Sequence, residues 1–225
     1  MLPKVSFVLT VYNKEAWIAQ TLRTIISQTM KDIEIIVWDD GSTDNSMAVA
    51  KEVLRNQPNV KFGGTAENQG IAKAYNQAHR MVTAPVVCIA SADDLYDRLR
   101  AQRSYDYFQK HPKVKIIYSH FIKVTARGAL IEDKRVPTYN KEKLFLPNNQ
   151  YIPHGFMAVR KEVIDTVQYD ETIKYGVDYP WIKELANTYD QECFARVNCY
   201  FGQYRWLETN VSHQHREEIV LQGNA

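Results

Sequence analysis

Two pairs of adjacent carboxylates and one tyrosine stand where chemistry could be done. The apolar run Ile35 to Trp38 ends in Asp39-Asp40-Gly41-Ser42, and the run Val86 to Ala90 ends in Ser91-Ala92-Asp93-Asp94. A third run, Val5 to Val11, finishes in Thr10-Val11-Tyr12-Asn13. Like charges side by side repel and bury poorly, so each pair either caps a helix or waits for a ligand. A carboxylate accepts the imide N–H of a uracil- or thymine-type base, and a tyrosine ring can stack on that base. A second carboxylate cluster can hold a divalent cation against a diphosphate.

Plainer readings stand beside these. Asp-Gly-Ser is ordinary turn chemistry, and Tyr12-Asn13 suits the start of a helix near Glu15. Asp93-Asp94 suits the acidic approach to a helix following Tyr96. Asp178 lies two residues before Pro180, which fits a helix N-cap. His154, before Gly155, reads as locally hydrogen-bonded with an acceptor-site role as the alternative. Lys73 reads as a solvated charge with a diphosphate contact as the alternative. Tyr105, Tyr107 and Phe108 read as core.

The elements that must position these residues alternate along the first half. Strand runs are expected at Val5 to Val11, Ile33 to Trp38, Val60 to Phe62 and Val86 to Ala90. Between them, Ile18, Leu22, Ile25, Ile26 and Thr29 share one helical face, as do Ile71, Ala74, Tyr75, Ala78 and Val82. Ser42, Thr43 and Asp44 offer N-cap chemistry for a helix from about Asn45 to Arg55. This order predicts an α/β fold with a mainly parallel sheet flanked by helices, a Rossmann-like three-layer sandwich. In such a sheet, ligands bind beyond the carboxyl ends of the strands, where all three polar clusters fall. The second half is less regular: a strand with a hairpin turn at Arg127-Gly128, a loop over 136–153, a helix around Trp181 to Tyr189, an edge strand from Cys193 to Phe201 and a polar tail.

Composition excludes several classes. The chain has 225 residues, 45% hydrophobic and 24% charged, with a formal charge of +2. That charge, without Lys or Arg runs, argues against nucleic acid as a partner. Cys88, Cys193 and Cys199 lack metal-ligand spacing and read as reduced thiols. No signal-peptide layout or membrane-length apolar run is visible, so the expected location is cytoplasmic, with peripheral contact at the inner face of the membrane as the alternative. Neither a G-x-G-x-x-G turn nor a P-loop occurs, which removes the standard dinucleotide and NTPase sites. Oligomeric state is not legible.

VSFVLTVYNKEAWIAQTLRTIISQT, IEIIVWDDGSTDNS, ENQGIAKAYNQA and IASADDLYD together resemble the family-2 glycosyltransferases of the GT-A fold. HGFMAVRKEVI and KYGVDYPWIKELAN extend the resemblance to about residue 190. It implies a single domain over 1–225, with a nucleotide-sugar half to about residue 96 and an acceptor half beyond. It further implies an inverting, nonprocessive hexosyl transfer from a nucleotide-diphosphate sugar, UDP first and dTDP second, to a saccharide or lipid-linked acceptor. The implied setting is bacterial cell-surface polysaccharide or lipopolysaccharide assembly.

Carried over by position, Thr10 and Tyr12 line the base pocket, Asp40 takes the base N–H, Asp93 binds Mn2+ or Mg2+, and Asp178 is the catalytic base. Two departures stand out. Ser91 replaces the first aspartate of the family's D-x-D motif, with Asp94 as a candidate substitute. Trp206 and Leu207 follow Arg205 where a histidine is common, leaving His213 as a candidate third metal ligand. The missing aspartate keeps a second reading open, a catalytically impaired nucleotide-sugar-binding protein or inactive subunit.

Overall fold

A computed structural model describes residues 2–146 and 152–210. Its strands are β1 (Val5–Val11), β2 (Ile33–Asp40), β3 (Val60–Thr65), β4 (Val86–Ser91), β5 (Leu95–Tyr96), β6 (Ile116–Thr125), β7 (Leu130–Lys134), β8 (Met157–Arg160) and β9 (Phe194–Trp206). The helices are α1 (Glu15–Ile26), α2 (Ser46–Leu54), α3 (Ile71–His79), α4 (Arg100–Lys110), α5 (Lys141–Leu144), α6 (Lys161–Thr166) and α7 (Asp178–Thr188).

The strands form one curled sheet in the order β3-β2-β1-β4-β8-β6-β9-β5, with β7 paired to β6. The first four are parallel. β1 and β4 are buried almost throughout and mostly apolar, as strands covered on both faces must be. α1 buries Ile18, Thr21, Leu22 and Ile25, while α3 buries Tyr75, Asn76, Ala78 and His79 among others. The expected parallel α/β core is therefore present.

Beyond β4 the sheet turns mixed. β8 runs antiparallel to both β4 and β6, and β9 runs parallel to β6. Arg100 stitches this junction, since its Nη2 donates to Ile89 O at 2.7 Å and to Met157 O at 2.8 Å. Tyr96 covers the guanidinium, 4.5 Å from its centroid. β9 is not an edge strand. It reaches past Phe201 to Trp206 and lies between β6 and the two-residue β5, a pairing of only two residues that leaves no periodicity to read. The hairpin at Arg127-Gly128 forms as β6 and β7. Inside the expected 136–153 loop, α5 makes a single turn capped by Asn140, whose side chain accepts from Lys143 N.

Candidate active site

Registry brings the three strand ends together. Thr10 on β1 pairs with Trp38 on one side and Ser91 on the other, and Val11 pairs with Asp39. β2 therefore delivers Asp39 and Asp40 beside Thr10, and side-chain alternation sends the two carboxylates to opposite faces.

Asp40 turns inward. It is buried, its Oδ1 accepts the N–H of Gln69 at 2.8 Å, and its Oδ2 accepts the N–H of Gly70 at 3.0 Å. Gly70 is the N-cap of α3, so Asp40 supplies from a distance the acceptor that this helix start lacks. Burial raises its pKa above the usual carboxylate range, more than the two N–H groups lower it. Both oxygens are engaged with backbone, and each keeps a further lone pair that can accept. Asp39 is half-buried; its Oδ1 accepts the Ser42 N–H at 3.0 Å, and its Oδ2 has no partner among the described residues. Asp39 is a second strand-end carboxylate that the sequence reading did not single out. Strand alternation was the signal that could have found it.

The loop after β2 also clasps the loop after β1. Asn13 N–H donates to Ser42 Oγ at 3.0 Å, and Thr43 N–H donates to Asn13 Oδ1 at 2.9 Å. Lys14 N–H donates to Ser46 Oγ at 2.7 Å, and Glu15 N–H to Asp44 Oδ2 at 3.0 Å. The other Asp44 oxygen accepts Ser46 N–H at 2.9 Å, so this carboxylate bridges the starts of α1 and α2. Burial acts to raise its pKa, and the hydrogen bonds from Ser46 and Glu15 outweigh it, leaving the pKa lowered. The expected cap chemistry is real, but Asn45 is the N-cap and Asp44 serves two helices. Tyr12, 45% exposed, stands at the rim of this clasp.

At the end of β4, Asp93 and Asp94 part ways. Asp93 Oδ2 forms an ion pair with Lys14 Nζ at 2.7 Å. Asp94 is buried, its Oδ1 accepts the backbone N–H of Arg205 at 2.9 Å, and burial with Asp93 beside it raises its pKa well above the usual range. Asp94 is thereby a fixing point for β9. The Arg205 guanidinium is buried over the Trp17 ring, 4.7 Å from its centroid, and donates to Gln20 Oε1 at 2.7 Å. Gly155 closes over this end: an added Cβ there would lie 3.1 Å from Ser91 Oγ and 3.4 Å from Asp94 Oδ2.

A divalent cation needs several hard oxygen ligands. Around Asp93 the chain offers one carboxylate already paired to an ammonium, one buried carboxylate bound to backbone, and the Ser91 hydroxyl. A doubly charged ion about 4 Å from that ammonium would be repelled by about 8 kcal/mol at an effective dielectric near 20. Leu207 is buried and offers no ligand. Among the described residues no group of three or more His, Cys, Asp or Glu could hold a metal. These residues do not fit a protein-held cation. His213 lies outside the described residues.

Asp178 approaches from the other half. It is the first residue of α7, Val177 is the N-cap, and no side-chain cap hydrogen bond is made there. The N-cap reading is thus replaced by a first-turn position. One turn on, Trp181 anchors the helix by donating its Nε1–H to Val167 O at 3.0 Å. Trp181 stacks on Tyr169 at 4.6 Å, and Tyr169 stacks on Tyr75 at 5.1 Å. His154 Nε2 lies 2.6 Å from the Tyr169 hydroxyl. Burial pushes the His154 imidazole down to about 4, though Asp178 pulls the other way, so this residue is neutral and locally satisfied. Lys73 is half-buried on α3 with no ion-pair partner among the described residues.

Tyr75 joins the two halves. Burial raises the pKa of its phenol, the Thr10 side chain opposes the shift, and Asp178, Asp93 and Asp94 add to it in that order. One buried hydroxyl on α3 therefore senses the carboxylates of both halves. Sequence reading had placed Tyr75 on a core helical face, and nothing in its spacing signalled this second position.

The layered sheet thus carries polar strand ends, a rim tyrosine and two pairs of aspartates at one edge. The sequence profile of "Glycosyl transferase family 2" matches residues 6–168, more than half of the chain, and the chain belongs to that family. It is 27% identical over 202 residues to a chondroitin synthase of Escherichia coli, covering 87% of this chain but only 29% of that protein. S. aureus TarS 1-349 in complex with UDP-GlcNAc superposes with a TM-score of 0.76 at 17% identity, over 92% of this chain and 60% of that one. The mannosyltransferase PcManGT of Pyrobaculum calidifontis, in complex with GDP-Man and Mn2+, gives 0.70 at 17% identity, over 99% and 63%. These neighbours share the GT-A fold. Among the described residues no helix is long and apolar enough to cross a membrane.

Proposed function

We propose that this chain transfers a hexosyl group from a nucleoside-diphosphate sugar to an acceptor hydroxyl, with inversion. The observation that carries this reading is the strand-end cluster of a family-2 chain, in which registry sets Thr10 beside Trp38 and Ser91 and an ion pair ties Lys14 to Asp93. A transferase must bring a donor and an acceptor side by side, and holding both in one geometry supplies much of the acceleration. The donor half spans about residues 1–96 and the acceptor half the remainder, within one domain.

In this reading the base stacks on Tyr12 near Thr10, and Asp39 rather than Asp40 accepts its N–H. A uridine diphosphate donor ranks first, supported by the UDP-GlcNAc complex of TarS; dTDP ranks second. The diphosphate lies toward the end of β4, near Asp93. Asp178 removes the acceptor proton as that oxygen attacks the anomeric carbon from the face opposite the leaving diphosphate. A single displacement inverts the configuration. The expected Mn2+ or Mg2+ has a precedent in the PcManGT complex, but Lys14 stands where it would meet Asp93, and no step here is routed through it. The acceptor in this reading is a saccharide or lipid-linked saccharide of cell-surface polysaccharide assembly, and the likeness to a chondroitin synthase supports the polysaccharide part of it.

Incubation with a panel of UDP-, dTDP- and GDP-sugars and candidate acceptors, with detection of released nucleoside diphosphate, tests the reading. Acceptor-dependent release from one donor supports it. Nucleotide binding without turnover across the panel would favour a non-catalytic binder, the reading that Ser91 leaves open.

A further inference from the structure

We propose that the Lys14 ammonium holds the donor's diphosphate in the place where a divalent cation is expected, so that nucleotide binding by this chain is independent of metal. The inference rests on the nucleoside-diphosphate reading given above and names the group that neutralises the phosphates.

Lys14 is set for this by its backbone. It immediately precedes α1, and its N–H is fixed to Ser46 Oγ at 2.7 Å. Its neighbours are held as firmly: Asn13 by Ser42 and Thr43, and Glu15 by Asp44 and Asn45. The ammonium thus swings from a stationary point and reaches Asp93 Oδ2 at 2.7 Å. Its side chain is 20% exposed and that of Asp93 12%, so the pair is sheltered yet open to a ligand.

An ammonium has three donors, and Asp93 takes one. Two remain for phosphate oxygens. Charge matching points the same way. With a serine at residue 91, the cluster presents Asp93 against Lys14, and one positive charge already balances it. A second carboxylate at residue 91 would have called for a doubly charged ion. Arg205, buried behind Asp93 and Asp94, adds a further positive charge that both carboxylates stabilise.

The test is calorimetric titration of UDP and of GDP into the whole chain, in Mn2+ and in EDTA, for wild type, Lys14→Met and Lys14→Arg. Wild type is expected to bind one of the two nucleotides with affinity that changes less than about three-fold between Mn2+ and EDTA, since a paired carboxylate gives the ion little hold. Lys14→Met should lose about 10–100-fold in EDTA, the range for hydrogen bonds to a charged group, and should recover part of it in Mn2+ because Asp93 is released. Lys14→Arg should retain metal-free binding. Loss of wild-type binding in EDTA, or a Lys14→Met affinity that is unchanged or falls equally in both conditions, would overturn the proposal. Should Lys14→Met fail to fold, the wild-type comparison decides alone. If neither nucleotide, nor dTDP titrated in the same way, binds in either condition, the donor reading itself falls and takes this inference with it.

Discussion

Asp40 and Gly70 are joined across thirty residues of chain, with the Gly70 N–H donating to Asp40 Oδ2 at 3.0 Å. This bond, with its twin from Gln69, turns one of two adjacent aspartates into a remote cap for α3. It leaves Asp39 as the strand-end carboxylate with an unpartnered oxygen. Asp40→Asn is expected to lower stability by about 1–3 kcal/mol, the cost of disturbing a buried charged acceptor. Asp39→Asn is expected to keep the melting temperature and weaken UDP binding by about the same amount. Thermal melts and calorimetry on the two variants check both. Were Asp40→Asn to melt normally and lose only nucleotide, the roles would be reversed.

Gly41 makes the turn that follows. Its φ is +74°, and an added Cβ would lie 2.5 Å from Glu67 C and 2.6 Å from Asn68 N, both backbone atoms that cannot step aside. Gly41→Ala is expected to cost about 1–3 kcal/mol, the usual range for a residue forced into a disfavoured backbone region. Chemical denaturation measures it. A loss below about 0.5 kcal/mol, the scale of an ordinary surface change, would show that the 67–68 loop yields easily.

The first half of the fold was legible because its signals are local. β1, β2 and β4 are short, largely apolar, β-rich runs, and α1 and α3 carry a clear 3.6-residue period. Asp93 and Asp178 were singled out through family likeness rather than through chemistry, and the sequence drew attention to Asp40 without Asp39 because adjacency in sequence hides which face a side chain takes. The partnership of Asp94 with Arg205 spans 111 residues, and that of Lys14 with Asp93 spans 79. No periodicity reports contacts of that range. β9 was misplaced at the edge for the same reason, since its neighbour β5 is too short to leave a pattern.

Glu34, His79 and His154 all contribute to the acid limb of stability. Burial raises the pKa of Glu34, but hydrogen bonds from Lys61, Ser6 and Thr83 outweigh it and bring it to about 2. A depressed carboxylate stabilises above its unfolded pKa, so this contribution fades as pH falls from about 4.5 to about 2. His79 is buried against Tyr75 and Tyr169 with no hydrogen-bond partner on either ring nitrogen, and burial lowers it to about 3. The unfolded chain takes up this proton first, so stability falls with pH from about 6.5 downward. Unfolding free energies between pH 7 and 2 should therefore decline in two stages. His79→Phe should remove its part of the upper one, shared with His154, without loss at pH 7, and Glu34→Gln should flatten the lower stage. An unaltered profile in both variants would contradict these assignments.

The central claim is that Asp178 and the nucleotide site act on one reaction from opposite halves. Asp178→Asn preserves size at the first turn of α7 but cannot take a proton. With the donor found by the sugar panel, its turnover is expected to fall by about a hundred- to ten-thousand-fold, the usual contribution of a general base. UDP affinity and melting temperature should stay at the wild-type values. Turnover within a few-fold of wild type, at unchanged nucleotide affinity, would contradict the account and move the base elsewhere.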